Sequence, residues 1–273
     1  MIKKYRDLFP AWCSDTETKY DLILSDDMDS LVSCCLLNKL FKFEINYFYS
    51  FDTLYMIKKS DNPAIGVDID FISGNCWSNH VTMLNPKDRV NKNSANLNNI
   101  DRINRNNYFT KYCGSTLLQI WSYYNQPLPS TTLGKMILLA IDYSHKGFYS
   151  KWPLPQQAHQ KYICNIMEFQ ELIEIEGKHT EQDFDDVNDS YKLYKKIHID
   201  ENGILQTELP LDKIQEVFDF EIKLPDAKFK TVHEFEPKQL AMYKHKTYSN
   251  RDFDNLVSIA LTNKNYSKYT TKG

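Results

Sequence analysis

The segment Asp26-Asp27-Met28-Asp29-Ser30 sets three carboxylates side by side where an apolar run stops and a helical pattern begins. Carboxylate oxygens held close together suit Mn²⁺ or Mg²⁺, hard ions that prefer oxygen ligands. The same residues suit a helix start, where Asp and Ser side chains accept hydrogen bonds from free backbone amides. Taken alone, the segment supports either reading. Further acids recur at comparable places. Asp68 and Asp70 close a later apolar run, His80 follows in the next loop, and Asp142 ends an apolar helical pattern just before Ser144. Acids that end successive elements of one sheet converge on one edge of it, which is where open α/β sheets carry their sites.

The elements that must position these residues read as an α/β fold with a parallel sheet. Residues 20–26, 44–51 and 63–71 are short apolar runs expected to be strands, and 30–42 has apolar positions at helical spacing. Residues 85–107 are polar and rich in asparagine, and are expected to form an irregular, mobile loop able to close over the site. Helices are predicted over 113–125, 131–143 and 155–177. The acidic stretch 176–194 reads as a linker, dividing a domain over 1–175 from a smaller α/β unit over 195–273. That unit is expected to hold a hairpin over 198–209, a helix over 210–220 and a late helix over 251–263.

With these motifs in order, a resemblance becomes nameable. Ile23-Leu24-Ser25-Asp26-Asp27-Met28-Asp29-Ser30 resembles the first motif of the DHH phosphoesterase superfamily, a strand followed by Asp-x-Asp and a helix. Gly66-Val67-Asp68 resembles the second motif, and Ser78-Asn79-His80-Val81 resembles the Asp-His-His that gives the family its name. Asp142-Tyr143-Ser144 with Gly147-Phe148 resembles the fourth. Further on, Tyr248-Ser249-Asn250-Arg251 followed by Asp254 to Ala260 is similar to the substrate-binding, DHHA1-like domain of that family.

The resemblance implies a parallel-sheet phosphoesterase domain and a Mn²⁺ or Mg²⁺ site of two ions, or of one. Asp27 would hold one metal, Asp29 and Asp142 the second, and Asp68 would bridge both. His80 would be catalytic and contact the substrate phosphate, with Arg251 and His145 as further substrate contacts. The implied activity is hydrolysis of short oligonucleotides or small nucleotides, in the manner of a nano-RNase or a single-strand exonuclease of the RecJ type. The chain departs from the pattern in three places. Ile23, Leu24 and Ser25 stand where a histidine usually precedes Asp-x-Asp; in one register Asn79 stands at a metal-binding imidazole, and in a register shifted by one residue His80 is the metal ligand instead. Asn263-Lys264-Asn265-Tyr266-Ser267 replaces a Gly-Gly-Gly-His loop. These losses favour a second expectation, a degenerate DHH-like domain that binds a nucleotide or a protein partner without turnover. A third is a structural or host-interaction protein that reuses the fold.

Composition narrows the classes further. Net charge is −3, so no overall basic field drives tight duplex binding, and a small anionic partner held by local cations fits better. The six cysteines include no Cys-x-x-Cys pair and read as buried free thiols in a reducing compartment. No run approaches the ~18 apolar residues of a membrane span, so a cytoplasmic protein without membrane contact is expected. Scarce glycine with abundant Asn, Lys and Tyr is the composition of an AT-rich genome, such as that of a phage or a low-GC bacterium. Neither a glycine-rich phosphate loop nor a Ser-His-Asp or Cys-His arrangement is readable from spacing. His145-Lys146, Lys244-His245-Lys246 and Trp77 are minor candidates, as phosphate contacts for the first two and a base-stacking ring for the last, with exposed loops and a packed ring as the plainer readings.

Overall fold

Strand β1 (Asp21–Leu24) is central, and its residues say why. Leu22 and Leu24 are fully buried, and both edges of the strand are paired in parallel, to β2 (Glu44–Tyr49) and β4 (Ala64–Val67). A parallel strand covered on both faces tolerates few polar side chains. The computed structural model describes all 273 residues. The parallel half continues outward through β5 (Asn75–Trp77) and β6 (Ser94–Ala95).

On the other side of β2 the sheet turns antiparallel, through β3 (Thr53–Met56), β9 (Lys230–Ala241), β11 (Tyr266–Lys272) and β10 (Leu256–Asn263). One continuous nine-stranded sheet results, in the order β10-β11-β9-β3-β2-β1-β4-β5-β6. Strands β7 (Ile197–Ile199) and β8 (Leu205–Thr207) form a separate hairpin, as expected from 198–209.

The expected late helix over 251–263 is instead mostly strand β10. Val257, Ile259 and Leu261 alternate there with Ser258, Ala260 and Thr262, a period of two that a strand satisfies and a helix does not. Residues 195–273 keep the predicted hairpin and a short helix, and carry strands where the late helix was expected. Residues 230–272 extend the main sheet, because β9 pairs with β3 from Thr53 opposite Glu234 to Met56 opposite Lys230. Ile197, Leu205, Ile214, Phe218 and Phe229 share one apolar core with Leu22, Leu31 and Ile137. A second, smaller core joins Val81, Leu84 and Ile103 to Met242, Ile259 and Leu261.

The helices follow their sequence signals more closely. After the one-turn α1 (Lys3–Arg6), α2 (Met28–Phe41) runs from an Asp27 cap, and α3 (Leu97–Ile100) is a single turn. Helix α4 (Thr116–Tyr123) starts at a Ser115 cap and α5 (Thr132–Ala140) at a Thr131 cap. Helix α5 stops short of the predicted 143 because Asp142 and Tyr143 both take left-handed backbone angles, φ 52°. The predicted helix 155–177 is broken into α6 (Pro153–His159), a π-helical stretch Gln160–Ile166 and α7 (Gln170–Lys178), with Glu168 left-handed at the break. The stretch read as a linker contains the end of α7 and all of α8 (Glu181–Ser190). A Thr180/Asp183 capping box starts α8, and fully buried Phe184 anchors it. The short α9 (Leu211–Gln215) lies within the predicted 210–220 helix. No helix is long and apolar enough to cross a membrane.

Residues 85–107 differ most from expectation. Rather than a mobile lid, they include β6, α3 and the start of a 3-10 helix. Asn96, Asn98, Asn99 and Asn104 are buried, and the side-chain amides of Asn96, Asn98 and Asn104 hold backbone together where apolar side chains could not satisfy it. Asn98 donates to the Asn79 and Tyr112 carbonyls, and Asn96 to Ser78 Oγ and the His80 carbonyl. The asparagines thus fasten the loop that carries His80.

Candidate functional site

The acids meet because the short parallel strands end level with one another. Leu24 is opposite Val67, and Val67 is opposite Trp77, so the loops after β1, β4 and β5 leave the sheet side by side. Ser30 ties two of them together, its Oγ accepting from Ser25 N at 2.8 Å and donating to the Val67 carbonyl at 2.7 Å. Asp142 arrives from beyond α5.

Each carboxylate has its own restraint. Asp27 caps α2 by accepting from Ser30 N at 3.1 Å. Asp29 is 3% exposed, and its two oxygens accept the amides of Thr116 at 2.7 Å and Leu117 at 2.8 Å, clamping the start of α4. Asp68 sits in the left-handed region at φ 58° and accepts from Thr116 Oγ1 at 2.7 Å. For a non-glycine residue that conformation is strained, and such strain collects at functional sites. Asp142, also left-handed, accepts from Asn79 Nδ2 at 2.9 Å, and the same amide donates to the Gly114 carbonyl. Asn79 therefore does structural work, tying Asp142 to the backbone before α4. His80 Nδ1 lies 2.9 Å from Asp70 Oδ2.

These groups border a cavity of about 550 Å³. Its floor is Asp26, Asp27, Asp68, Asp70, His80 and Asp142. Lys196, from the strand-hairpin region, closes one side, its ammonium 3.0 Å from Asp26 Oδ1 and 3.2 Å from Asp27 Oδ2. Strands β9, β10 and β11 supply another wall with Lys268, Ser258 and Thr270, which share one face of the sheet, while Lys238, opposite Tyr269, points to the other face. Asp29 does not border the cavity; it lies behind it.

The charges are poorly compensated. Burial, followed by the neighbouring Asp68, Asp142 and Asp27, pushes the Asp29 carboxyl well above its usual range. Burial and Asp27 do the same to Asp68, against a pull from His80. Asp142 is raised by burial, with His80 opposing and Asp27 reinforcing the rise. For His80, burial opposes the charged form, yet Asp70, with Asp68 and Asp142 behind it, lifts the imidazole to about 10. Lys196 is raised too, since Asp27 and Asp26 outweigh its burial. These directions describe one mutually repelling set of acids served by too few cations.

Of the residues singled out in the sequence, Asp27, Asp68, Asp142 and His80 are brought together, with Asp29 one layer behind. Two are not. His145 is fully buried, stacked on Phe184 at 4.9 Å, with Nδ1 3.3 Å from the Leu139 carbonyl. Arg251 borders a different cavity, with Phe71 and Arg89, and donates to the Lys87 carbonyl. Trp77 is fully buried among Phe9, Trp12, Tyr123 and Tyr124, in agreement with the packed-ring reading. Lys196 and Lys268 were missed, since nothing local marks them out from other surface lysines. Thr116 was also missed, though its place at the start of a helix was a usable signal.

No three His, Cys, Asp or Glu side chains converge closely enough in this conformation to hold a metal ion between them. No protein-family model matches the chain, and no curated protein or solved structure is significantly similar to it.

Proposed function

We propose that the cavity is a divalent-cation-dependent phosphodiesterase site acting on short oligonucleotides or small nucleotides, and that it uses one ion rather than two. The observation that carries this reading is the charge arrangement, an acid floor with the cations Lys196 and Lys268 at its margins. A phosphate ester drawn in by Lys268 meets the carboxylates of Asp68, Asp70 and Asp142, and like charges repel unless a cation lies between them. The resemblance of the three acid-bearing motifs and of the His80 motif to those of DHH phosphoesterases supports the same reading.

The hydrogen bonds sort the acids by fitness for such an ion. Asp29 has both oxygens taken by backbone amides, and Asp27 divides its oxygens between the Ser30 amide and Lys196. Neither suits metal ligation. Asp68 and Asp142 each keep one oxygen outside their recorded hydrogen bonds, and buried Asp70 Oδ1 has no partner at all. Asp68, Asp70 and Asp142 would hold the ion, after the small approach that neutralising their repulsion favours. When bound, a divalent cation polarises a phosphoryl oxygen and lowers the pKa of a water it holds. The chain's own residues do the rest. His80, held at the cavity by Asp70, donates to a phosphate or departing oxygen. Lys268 orients the phosphate, and Phe51, 36% exposed at the cavity, offers a face to a base.

Calorimetric titration with Mn²⁺, paired with hydrolysis of short RNA, short DNA and cyclic dinucleotides at pH 7 to 9, tests this reading. One ion bound per chain and metal-dependent release of nucleotides are expected. Absence of hydrolysis from every substrate with Mn²⁺ present would overturn it.

A second reading has its own observation. The Lys196 ammonium bridges Asp26 and Asp27, where the family resemblance would set a metal, and so supplies a permanent countercharge. On this reading the cavity binds a nucleotide or partner without turnover, and EDTA leaves that binding unchanged.

A further inference from the structure

Away from the acid cavity, the fold gathers a thiol, an imidazole and a carboxylate that are distant in sequence. Cys113 lies just before α4, His159 ends α6 and Glu176 sits in α7. His159 Nε2 is 2.8 Å from Glu176 Oε2, with His159 2% exposed and Glu176 fully buried. The other imidazole nitrogen faces the thiol across Gly147. A Cβ on that glycine would lie 2.6 Å from His159 Nδ1 and 2.7 Å from Cys113 Sγ, so only glycine lets the backbone close over both. His159 Nδ1 and Glu176 Oε1 have no conventional hydrogen-bond partner. A buried imidazole nitrogen with no other partner, turned to a sulfur, is placed to hold a thiolate.

The geometry points to Cys113, His159 and Glu176 as a second reactive site, a thiolate paired with an imidazolium that Glu176 orients, and open to modification by small hydroperoxides. Cys113 is part-exposed, while its two partners are sealed behind it. A bulky acyl or peptide substrate has no space beside Gly147, but a peroxide is small enough to approach. Electrostatics agree with the arrangement. Burial works against the Cys113 thiolate, yet the neighbouring His159 and the Lys111 charge together bring the thiol below its ordinary pKa. Burial likewise opposes a charge on His159, and Cys113 and Glu176 lift it to about 9. The remaining cysteines contrast with this one. Cys13, Cys34, Cys35 and Cys76 are buried and pushed upward by that burial, and part-exposed Cys164 has only Gln170 beside it.

In the reaction, the Cys113 thiolate attacks one peroxide oxygen. The S–O bond forms as the O–O bond breaks, and the departing hydroxide takes the proton from His159 Nδ1 to leave as water. Sulfur is oxidised by two electrons to the sulfenic acid, the peroxide is reduced, and His159 ends neutral.

The site is independent of the acid cavity's chemistry and is tested without it. The full-length chain is treated with iodoacetamide across pH 5.5 to 9.5, and separately with hydrogen peroxide followed by dimedone, and each cysteine is quantified by peptide mass spectrometry. Cys113 is expected to alkylate at least tenfold faster than Cys164 at pH 6.5 and to be the main dimedone adduct. Glu176→Gln and His159→Gln should move its rate profile upward, with reactivity recovered above pH 9, where the thiol ionises unaided. A wild-type Cys113 profile that rises only in step with that of Cys164 overturns the proposal, and this needs no variant to fold. So does a Cys113 that stays unlabelled while Cys164 reacts.

Discussion

The parallel half of the sheet and its antiparallel half bring opposite charges to one cavity by different means. In the parallel half, the acids lie just past the strand ends, in loops whose level exits are set by register. In the antiparallel half, Lys268 lies within strand β11, exposed by the alternation of an extended chain. The acid side is buried and strained. Asp68 and Asp142 hold left-handed backbone angles, and burial raises their carboxyls. The lysine side is at ease: Lys268 is exposed and shares its face with the hydroxyls of Ser258 and Thr270. Unmet charge is therefore concentrated on one wall, and a ligand that relieves it must carry positive charge to that wall.

The sharpest way to break this contrast is to remove a strained acid. Asp68→Ala should abolish metal-dependent hydrolysis, at least ~10³-fold or about 4 kcal/mol in the barrier, while His145→Ala lowers the melting temperature and leaves kcat within about threefold. Equal, mild effects of the two on kcat would move the reactive centre elsewhere. Asp29 discriminates next. As a clamp on the Thr116 and Leu117 amides rather than a ligand, its replacement by Ala should cost stability, about 2 kcal/mol for buried amides left unpaired. Mn²⁺ affinity should fall far less than in Asp142→Ala, where a loss of tenfold or more is expected by calorimetry. A larger loss in Asp29→Ala would make it a ligand after all.

Proton linkage tests the wall as a whole. Folded-state carboxyl pKa values raised above the unfolded ~3.9 mean that the native chain binds extra protons, so stability is highest at low pH and falls as pH rises through the folded values. His80 adds the same sign over a different window. Its contribution is full below ~6.5, the unfolded value, and is lost as pH passes about 10. Denaturant unfolding in EDTA should therefore show stability declining from pH 5 to pH 8, and Mn²⁺ should flatten that decline. A metal-free stability that rises over this range would contradict the crowding of charge.

Much of the acid wall was legible in the sequence because its signals are local. An apolar run ending in Asp predicts a strand with a carboxylate at its end, and β1, β2 and β4 lie within their predicted ranges. The lysine wall was not legible. Lys196 gains meaning only when the Ile197 amide bonds to the Asp26 carbonyl, and Lys268 only when β11 joins β9 and β9 pairs with β3, contacts between residues far apart in sequence. The helix predicted over 251–263 failed because apolar content was weighed above the two-residue alternation of Val257, Ile259 and Leu261. Asparagine misled in another way. Its polarity suggested a mobile loop, whereas Asn96 and Asn98 are buried and bind backbone carbonyls. The thiol relay was invisible for the same reason as the lysines, since Cys113, His159 and Glu176 meet only through the packing of three helical segments and Gly147.

The smallest expected effect concerns the lysine wall, and it separates the two cavities. Lys268 is exposed at the rim, so its charge is screened and its part in binding is modest. Lys268→Ala should raise KM for a short oligonucleotide about threefold to tenfold, with kcat nearly unchanged, because it removes attraction felt equally by bound substrate and transition state. The difference from wild type should shrink as salt is raised. Arg251→Ala serves as the contrast, since Arg251 borders the other cavity with Phe71 and Arg89. Its KM should stay at the wild-type value at every salt concentration. If Arg251→Ala alters KM and Lys268→Ala does not, substrate enters from the opposite face of β10, and the antiparallel half does not form the substrate wall of the acid cavity.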